Sequence, residues 1–335
     1  MIAPHSRLFV VGDRLGWSID DDRVRLVATA RRLGYKVAPN AALRLARRQS
    51  VFQHNHFNAL QPRWLGSSHR LGLSYFHGRP GTPGYPEFDR AYATLEQNAD
   101  RIARVQVTHD EMRELVVGAG VPAEHVFKIP IGIDLEHFDV CPEREGGAFV
   151  VGSFVKDGVG MDEGLEPKLL KGPDTFVAVV ERLRERIPEL SVLLTGPARG
   201  YVRRELERLG VPCRHRLLSS RDELGRAYAQ SDVCLVTSRQ EGGPKAALEA
   251  MASGVPLVST RVGQAAELVR DGDNGLLADV DDVEALVAAV ERVHDDSELR
   301  ARLRESGRRT AEAHAEEQLD PLWGQLLSGF VDGAR

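Results

Sequence analysis

Short apolar runs alternate with longer mixed segments along most of the chain. In the first half, Leu8–Val11, Tyr35–Ala38, Ser50–Gln53 and Leu73–Phe76 predict strands. A helix is predicted from Asp20 to Leu33. Asp20, Asp21 and Asp22 supply its cap and first-turn acids, and Gly34 stops it. Residues 88–104 and 109–118 predict further helices. The second half repeats the alternation more cleanly, with strands at Phe149–Ser153, Ser191–Thr195, Val233–Val236 and Pro256–Ser259. Helices are expected near 173–187, 200–209, 221–230, 244–252 and 281–293. This rhythm predicts an α/β protein with two parallel, doubly wound sheets. The polar run Cys141–Gly147 marks a join, giving domains over 1–143 and 144–315 and a terminal helical segment over 316–335.

Composition narrows the class. The 335 residues hold 44 Lys+Arg against 49 Asp+Glu, a net charge of −5, so no cationic surplus exists for generic binding to nucleic acid. Residues 1–140 carry 18 basic and 15 acidic groups, leaving the excess of acid to the remainder. No apolar stretch reaches membrane-spanning length. The start enters an apolar strand without the three regions of a secretory leader, and the three cysteines (Cys141, Cys213, Cys234) are scattered. Both features predict a reduced, cytoplasmic chain. Arg44, Arg47 and Arg48, interleaved with leucines over residues 40–52, read as a surface helix, either an ordinary solvated face or a peripheral contact with an anionic membrane.

Two segments carry candidate chemistry. Residues 156–172 form a long loop between a strand and its helix, at the carboxyl end where open α/β sheets bind ligands. Residues 231–260 place a buried strand, the turn Ser238–Gly243 and a helix starting near Pro244 in succession. Gly242 and Gly243 let a ligand approach the backbone, Pro244 suits a first-turn position, and the helix start offers N–H groups and partial positive charge. Together they suit a diphosphate. Glu249 lies roughly 7–8 Å up the helix axis, within reach of a ribose diol. Glu241, before the helix, is placed to meet the hydroxyls of an attached sugar. Lys245 sits in the first turn, where a nearby phosphate would offset its unfavourable position in the helix dipole.

The stretch Glu241-Gly-Gly-Pro-Lys-Ala-Ala-Leu-Glu249, with Gly263-Gln264 and Asp273-Asn-Gly275 beyond it, resembles the E-x7-E signature of retaining glycosyltransferases of family four. Ile129-Pro-Ile-Gly-Ile-Asp134 resembles that family's element at the end of its first domain. The resemblance implies the GT-B fold: two Rossmann-like doubly wound domains facing a central cleft, donor on the second domain and acceptor on the first, with the terminal helix packed back on the first. It implies a UDP-, GDP- or ADP-sugar donor, a glycan, glycolipid or small-molecule acceptor, and no metal or other cofactor. Lys171-Gly172 matches the family's phosphate-binding pair. The usual Arg after Gly152 is replaced by Ser153, with Lys156 the nearest substitute and Lys168 a second. Gly196 matches a tight turn under the nucleotide, and His77 a histidine that meets the donor sugar or the acceptor.

His54 and His56 would share a strand face if that strand continued, as a polar wall. The D-x-D pairs at Asp20–Asp22 and Asp271–Asp273 read as a cap and a turn. Two alternatives stay open: a nucleotide-sugar epimerase on the same fold, and a catalytically inactive subunit that binds nucleotide or glycan.

Overall fold

Strands buried on both faces need apolar residues on both sides of the pleat, and both sheets are built that way. The computed structural model describes residues 5–12, 18–144 and 146–332. The chain divides into two units, Met1–Pro130 with Glu316–Arg335, and Ile131–Ala315.

The first unit holds a parallel sheet of β1 (Leu8–Val11), β2 (Ser50–Gln53), β3 (Arg70–Ser74), β4 (Ile102–Val107) and β5 (Val126–Lys128), in that spatial order. Alternation sends Phe9 and Val51 into one core and Leu8, Val10 and Phe52 into the other. The second of these cores is closed by Leu26 and Ala30 of the helix Ser18–Arg32 and by Trp323, Leu326 and Leu327 of the terminal helix Asp320–Leu327. Each such buried apolar side chain stabilises by about 1.5–3 kcal/mol. Arg32 holds the terminal helix by two bonds to Asp320, at 2.9 and 2.7 Å. Arg104 donates to the carbonyls of Leu326 and Ser328 at 3.1 Å each.

The second unit holds β6 (Phe149–Ser153), β7 (Leu190–Thr195), β8 (Cys213–Arg216), β9 (Val233–Val236), β10 (Leu257–Thr260) and β11 (Leu276–Ala278). All neighbours are parallel and the order is β11-β10-β9-β6-β7-β8. The direction of winding therefore reverses between β6 and β9, making their carboxyl ends the switch point at which open α/β sheets bind ligands. Val233 and Leu235 face one core, Cys234 and Val236 the other.

Several elements differ from their sequence patterns. The helix expected to 104 ends at Gln97, and β4 begins at Ile102, because Asn98–Arg101 turns the chain and Ile102, Val105 and Val107 fill the core. Tyr35–Ala38 makes a single bridge, Val37 to Leu8. The surface helix over 40–52 shrinks to one 3-10 turn, Asn40–Arg44. Arg48 takes a left-handed φ of 48°, and β2 starts at Ser50. Strands β5 and β11 are only three residues long, and β8, Cys-Arg-His-Arg, has no apolar run to signal it. Residues 131–143 group with the second unit: Ile133 and Phe138 lie in its core, and Cys141 N donates to Ser253 O at 3.1 Å. Residues 13–17, between β1 and the helix Ser18–Arg32, lie outside the described residues. Among the described residues, no helix is long and apolar enough to cross a membrane.

Candidate functional site

The carboxyl ends of β6, β7 and β9 gather most of the residues singled out in the second unit. After β9, Thr237 Oγ1 donates to Gly172 O at 2.8 Å, and Ser238 O accepts from Thr260 Oγ1 at 2.6 Å. These bonds fix the entry to the turn Ser238–Gly243. Gly172 has φ 60°, and a Cβ there would lie 1.9 Å from Thr237 O, so only glycine allows this approach. It also opens the helix Pro173–Arg186. The loop after β6 is thereby tied to the loop after β9.

Lys171 and Glu241 meet on this tie. Lys171 Nζ lies 2.6 Å from Glu241 Oε2, and Ser238 Oγ donates to Glu241 Oε1 at 2.8 Å. The Glu241 side chain is 9% exposed and that of Lys171 23%. The pair is therefore shielded yet reachable. A cation and an acceptor thus share one spot at the switch-point strand ends.

Arg239 supports the same tie and gave no sign of it in the sequence. Its guanidinium donates to both Asp174 oxygens at 2.7 Å, to Asp281 at 2.9 Å and to Leu169 O at 2.7 Å. Asp174 opens the helix after Gly172, and Asp281 is remote in sequence, so only folding brings them together. Burial works against the charged form of Asp174, but the hydrogen bonds and charge of Arg239 hold its carboxyl below the usual value.

The helix after the turn runs Lys245–Ala252, with Pro244 at the cap and not in the first turn; no side chain caps its first amides. Gly242 and Pro244 are buried, while Gly243 and Lys245 are partly open. The helix is rich in alanine because it lies between the sheet and the helix Ser297–Ala313. Glu249 is 8% exposed and accepts from Tyr228 OH at 2.9 Å. Tyr228 is fully buried, stacked 3.7 Å from Phe154. Burial and the neighbouring Glu249 hold its hydroxyl protonated, so it donates. Gln264 closes the turn from below: its side chain bonds both Ile131 N and Ile131 O, and its amide donates to Gly242 O at 3.0 Å.

Lys156 and Gly196 lie at the adjoining strand ends. Lys156 is partly buried, and burial lowers its pKa. Gly196, with φ 80°, donates to Arg216 O at 3.1 Å, and its carbonyl accepts from His215 Nε2 at 2.7 Å. Lys168 N donates to Asp157 O at 2.7 Å. The second D-x-D forms a turn, with Asp271 accepting from Leu277 N and Asp273 from Arg270.

In the first unit, His77 follows β3 and stands edge-on to His56 and Phe88, ring centroids 5.9 Å away in each case. His54 and His56 do not share a strand face. β2 ends at Gln53, and Asn55 caps the helix His56–Ala59. His54 Nδ1 lies 3.0 Å from Ser74 Oγ, which donates to Gln106 Oε1 at 2.6 Å. His56 stacks on Tyr75 at 4.1 Å. Thr108 does not cap the following helix; its hydroxyl lies 2.9 Å from His109 Nδ1.

Among the described residues, Asp134, Glu136 and His137 bring ligand atoms within 4.8 Å of one another, but His137 already pairs with Asp222 at 2.7 Å. None of these belongs to the switch-point cluster.

Residues 165–310 match the family model described as glycosyl transferases group 1. The D-inositol 3-phosphate glycosyltransferase of Corynebacterium glutamicum is 30% identical over 258 residues, 71% of this chain and 60% of that protein. A lipopolysaccharide core biosynthesis glycosyltransferase of Rhizobium meliloti is 33% identical over 159 residues, 47% of this chain and 46% of that protein. The chain thus spans about 60% or less of the length of these relatives. The crystal structure of Anabaena Alr3699/HepE in complex with UDP and glucose superimposes with a TM-score of 0.72 at 16% identity, covering 97% of this chain and 99% of that one. The fold is GT-B, built of two Rossmann-like α/β domains.

Proposed function

We propose that this chain is a retaining glycosyltransferase that moves a sugar from a nucleoside-diphosphate sugar to an acceptor hydroxyl. One observation carries the reading: Lys171 and Glu241 in contact at the switch point, on the turn that opens the helix bearing Glu249. The match over residues 165–310 and the named activity of the relatives support it.

In this reading the diphosphate lies against the turn Gly242–Pro244, with Lys171, Lys156 and Lys245 around it and Gly196 below. Glu249 accepts from the ribose hydroxyls. Glu241 exchanges Lys171 for a sugar hydroxyl when the donor arrives. Negative charge grows on the departing phosphate as the bond from the anomeric carbon to oxygen breaks. Cations already fixed in place lower that barrier most, since they need no reorganisation. The acceptor oxygen bonds the anomeric carbon on the same face, and its proton passes to the departing phosphate oxygen. His77, on the first unit, orients the sugar or the acceptor. No step uses a metal. Leu45, 91% exposed beside Arg44 and near Arg47 and Arg48, supports peripheral contact with an anionic membrane.

The test is a thermal-shift panel of UDP-, GDP- and ADP-sugars, followed by transfer assays with and without EDTA. Acceptors would include inositol phosphates, glycans and glycolipids. A single donor is expected to raise Tm, and its sugar to appear on an acceptor in retained configuration at a rate EDTA leaves unchanged. Turnover without acceptor would indicate an epimerase. Binding without turnover would indicate an inactive binding subunit.

A further inference from the structure

The loop after β6 closes on itself before it reaches Lys171. Lys168 N donates to Asp157 O at 2.7 Å, Val159 N donates to Glu166 O at 2.9 Å, and Gly158 bridges Pro167. Its tip caps the helix Gly200–Arg208: Gly200 N donates to Glu163 O at 2.6 Å and Tyr201 N to Gly164 O at 2.9 Å. Gly158 and Gly164 lie flat on the turn at Ala198, where added Cβ atoms would come within 2.2 and 2.5 Å of its backbone.

Beneath the loop stands Arg199, 0% exposed. Nη1 donates to Ser153 O and to Thr195 O, each at 2.9 Å; Nη2 donates to Ser153 Oγ at 2.8 Å and pairs with Asp157 Oδ2 at 2.9 Å. Asp157 is 3% exposed. A buried ion pair is a poor source of stability, because desolvation consumes most of its attraction and a packed apolar pair does as well. What the guanidinium supplies is a rigid fork that fixes several acceptors at once. Here it fixes the ends of β6 and β7 and the residue next to Lys156. Ser153 stands where the resemblance expects a phosphate-binding Arg. A guanidinium does reach that strand end, but from position 199, buried and neutralised by Asp157. Lys156, three residues past Ser153 and partly buried, is the nearest lysine in sequence to this strand end.

We infer that the Arg199–Asp157 pair is a positioning device that locks the loop 154–168 over the turn at Ala198 so that Lys156 is presented to the donor diphosphate. This rests on the proposed function. Arg199 and Asp157 touch no substrate; they act through Lys156.

The test is a double-mutant cycle on the full chain, read as the Kd of whichever of UDP, GDP or ADP binds, with Tm measured alongside. Lys156→Ala should weaken binding about 10-fold, and Asp157→Asn should weaken it comparably. The two changes combined should be no worse than about 2-fold beyond either alone, because each removes the same contact. A general loss of structure would leave the Lys156→Ala effect intact and additive. Should Asp157→Asn fail to fold, the apolar pair Arg199→Met with Asp157→Leu carries the test: weakened binding that Lys156→Ala no longer changes supports the inference, and wild-type affinity overturns it. Additive effects, or a Lys156→Ala change that costs nothing in the wild type, also overturn it. Failure of the wild type to bind any of the three nucleotides would overturn the functional reading, and this inference with it.

Discussion

The carboxyl edges of the two sheets differ in their buried groups, although the first also carries exposed ion pairs such as Lys128 with Asp110 at 2.7 Å. In the second unit the edge is a set of paired charges: Lys171 with Glu241, Arg239 with Asp174 and Asp281, and Arg199 with Asp157. In the first unit the buried groups are rings and neutral polar atoms. His54, Ser74 and Gln106 form a chain that ends on Ile129 O, and His56 is sandwiched near Phe57 and Tyr75. Paired charges can be lent to an incoming ion without reorganising the backbone. Stacked rings and neutral donors suit hydroxyls and the flat faces of sugars. In the proposed reaction the charged edge of the second unit would hold the donor diphosphate.

The sharpest way to break that contrast is Glu241→Gln. The amide keeps the size but not the charge, leaving Lys171 without its counter-ion and the sugar without a strong acceptor. Transfer is expected to fall about 10²–10³-fold, the scale of removing one preorganised polar contact, with the circular dichroism spectrum unchanged and Tm lowered because Lys171 loses its counter-ion. Wild-type rates in this variant would remove Glu241 from the chemistry.

Arg239→Ala attacks the scaffold of the charged edge. Asp174 and Asp281 would lose their shared partner, at a cost of about 1–2 kcal/mol, below that of a fully buried pair because water reaches both carboxylates. Activity should drop about 10-fold as the two loops loosen, and Arg239→Lys should recover little, since a compact ammonium cannot replace the planar fork that reaches Asp174, Asp281 and Leu169 O together. Urea unfolding and initial rates check both expectations. Tyr228→Phe is milder. It removes one hydrogen bond to Glu249, worth about 1.5–3 kcal/mol for a charged acceptor, and should raise the donor KM roughly 10-fold while kcat stays within about 2-fold.

How far these edges could be read from sequence follows from the range of the interactions that build them. The strand–turn–helix from Val233 to Ala252 is local, so its glycines, its helix start and both glutamates stand out in the sequence. Lys171 next to Gly172 is equally local. Arg239 is not: it looks like any loop arginine until Asp174 and Asp281, 65 and 42 residues away, are folded against it. Arg199 and Asp157 are likewise joined only across 42 residues, and hydrophobic periodicity carries no trace of a buried ion pair. Tyr228 reads as one more apolar helix residue. In the first unit, β4 was hidden because its apolar residues continue directly from those of the preceding helix; the break at Asn98 is a single turn. The split of His54 from His56 was hidden by Asn55, whose cap ends the strand's alternation after Gln53.

The smallest expected effect separates the edges by pH. Burial, and then the neighbouring charge of His77, hold the pKa of His56 well below 6.5. His56 is therefore neutral in the folded protein and takes up a proton on unfolding. Its contribution is fully present above pH 6.5 and is lost as pH falls below that value toward its folded pKa, with a limiting slope of about 1.4 kcal/mol per pH unit for one proton. Asp174 and Asp281 in the second unit are held below the usual carboxylate value, so their contribution persists until pH falls below 3.8. Between pH 6.5 and 4.5 the first unit should thus be the one that weakens. Protection factors of the β2 and β3 amides, corrected for the intrinsic exchange rate at each pH, are expected to fall in that window while those of the β6 and β9 amides hold. His56→Phe, which keeps a ring against Tyr75, should shallow the pH dependence of Tm. It should not flatten it fully, because burial also lowers His5 and His69. An unchanged slope in His56→Phe would show that the neutral edge does not owe its acid sensitivity to this ring.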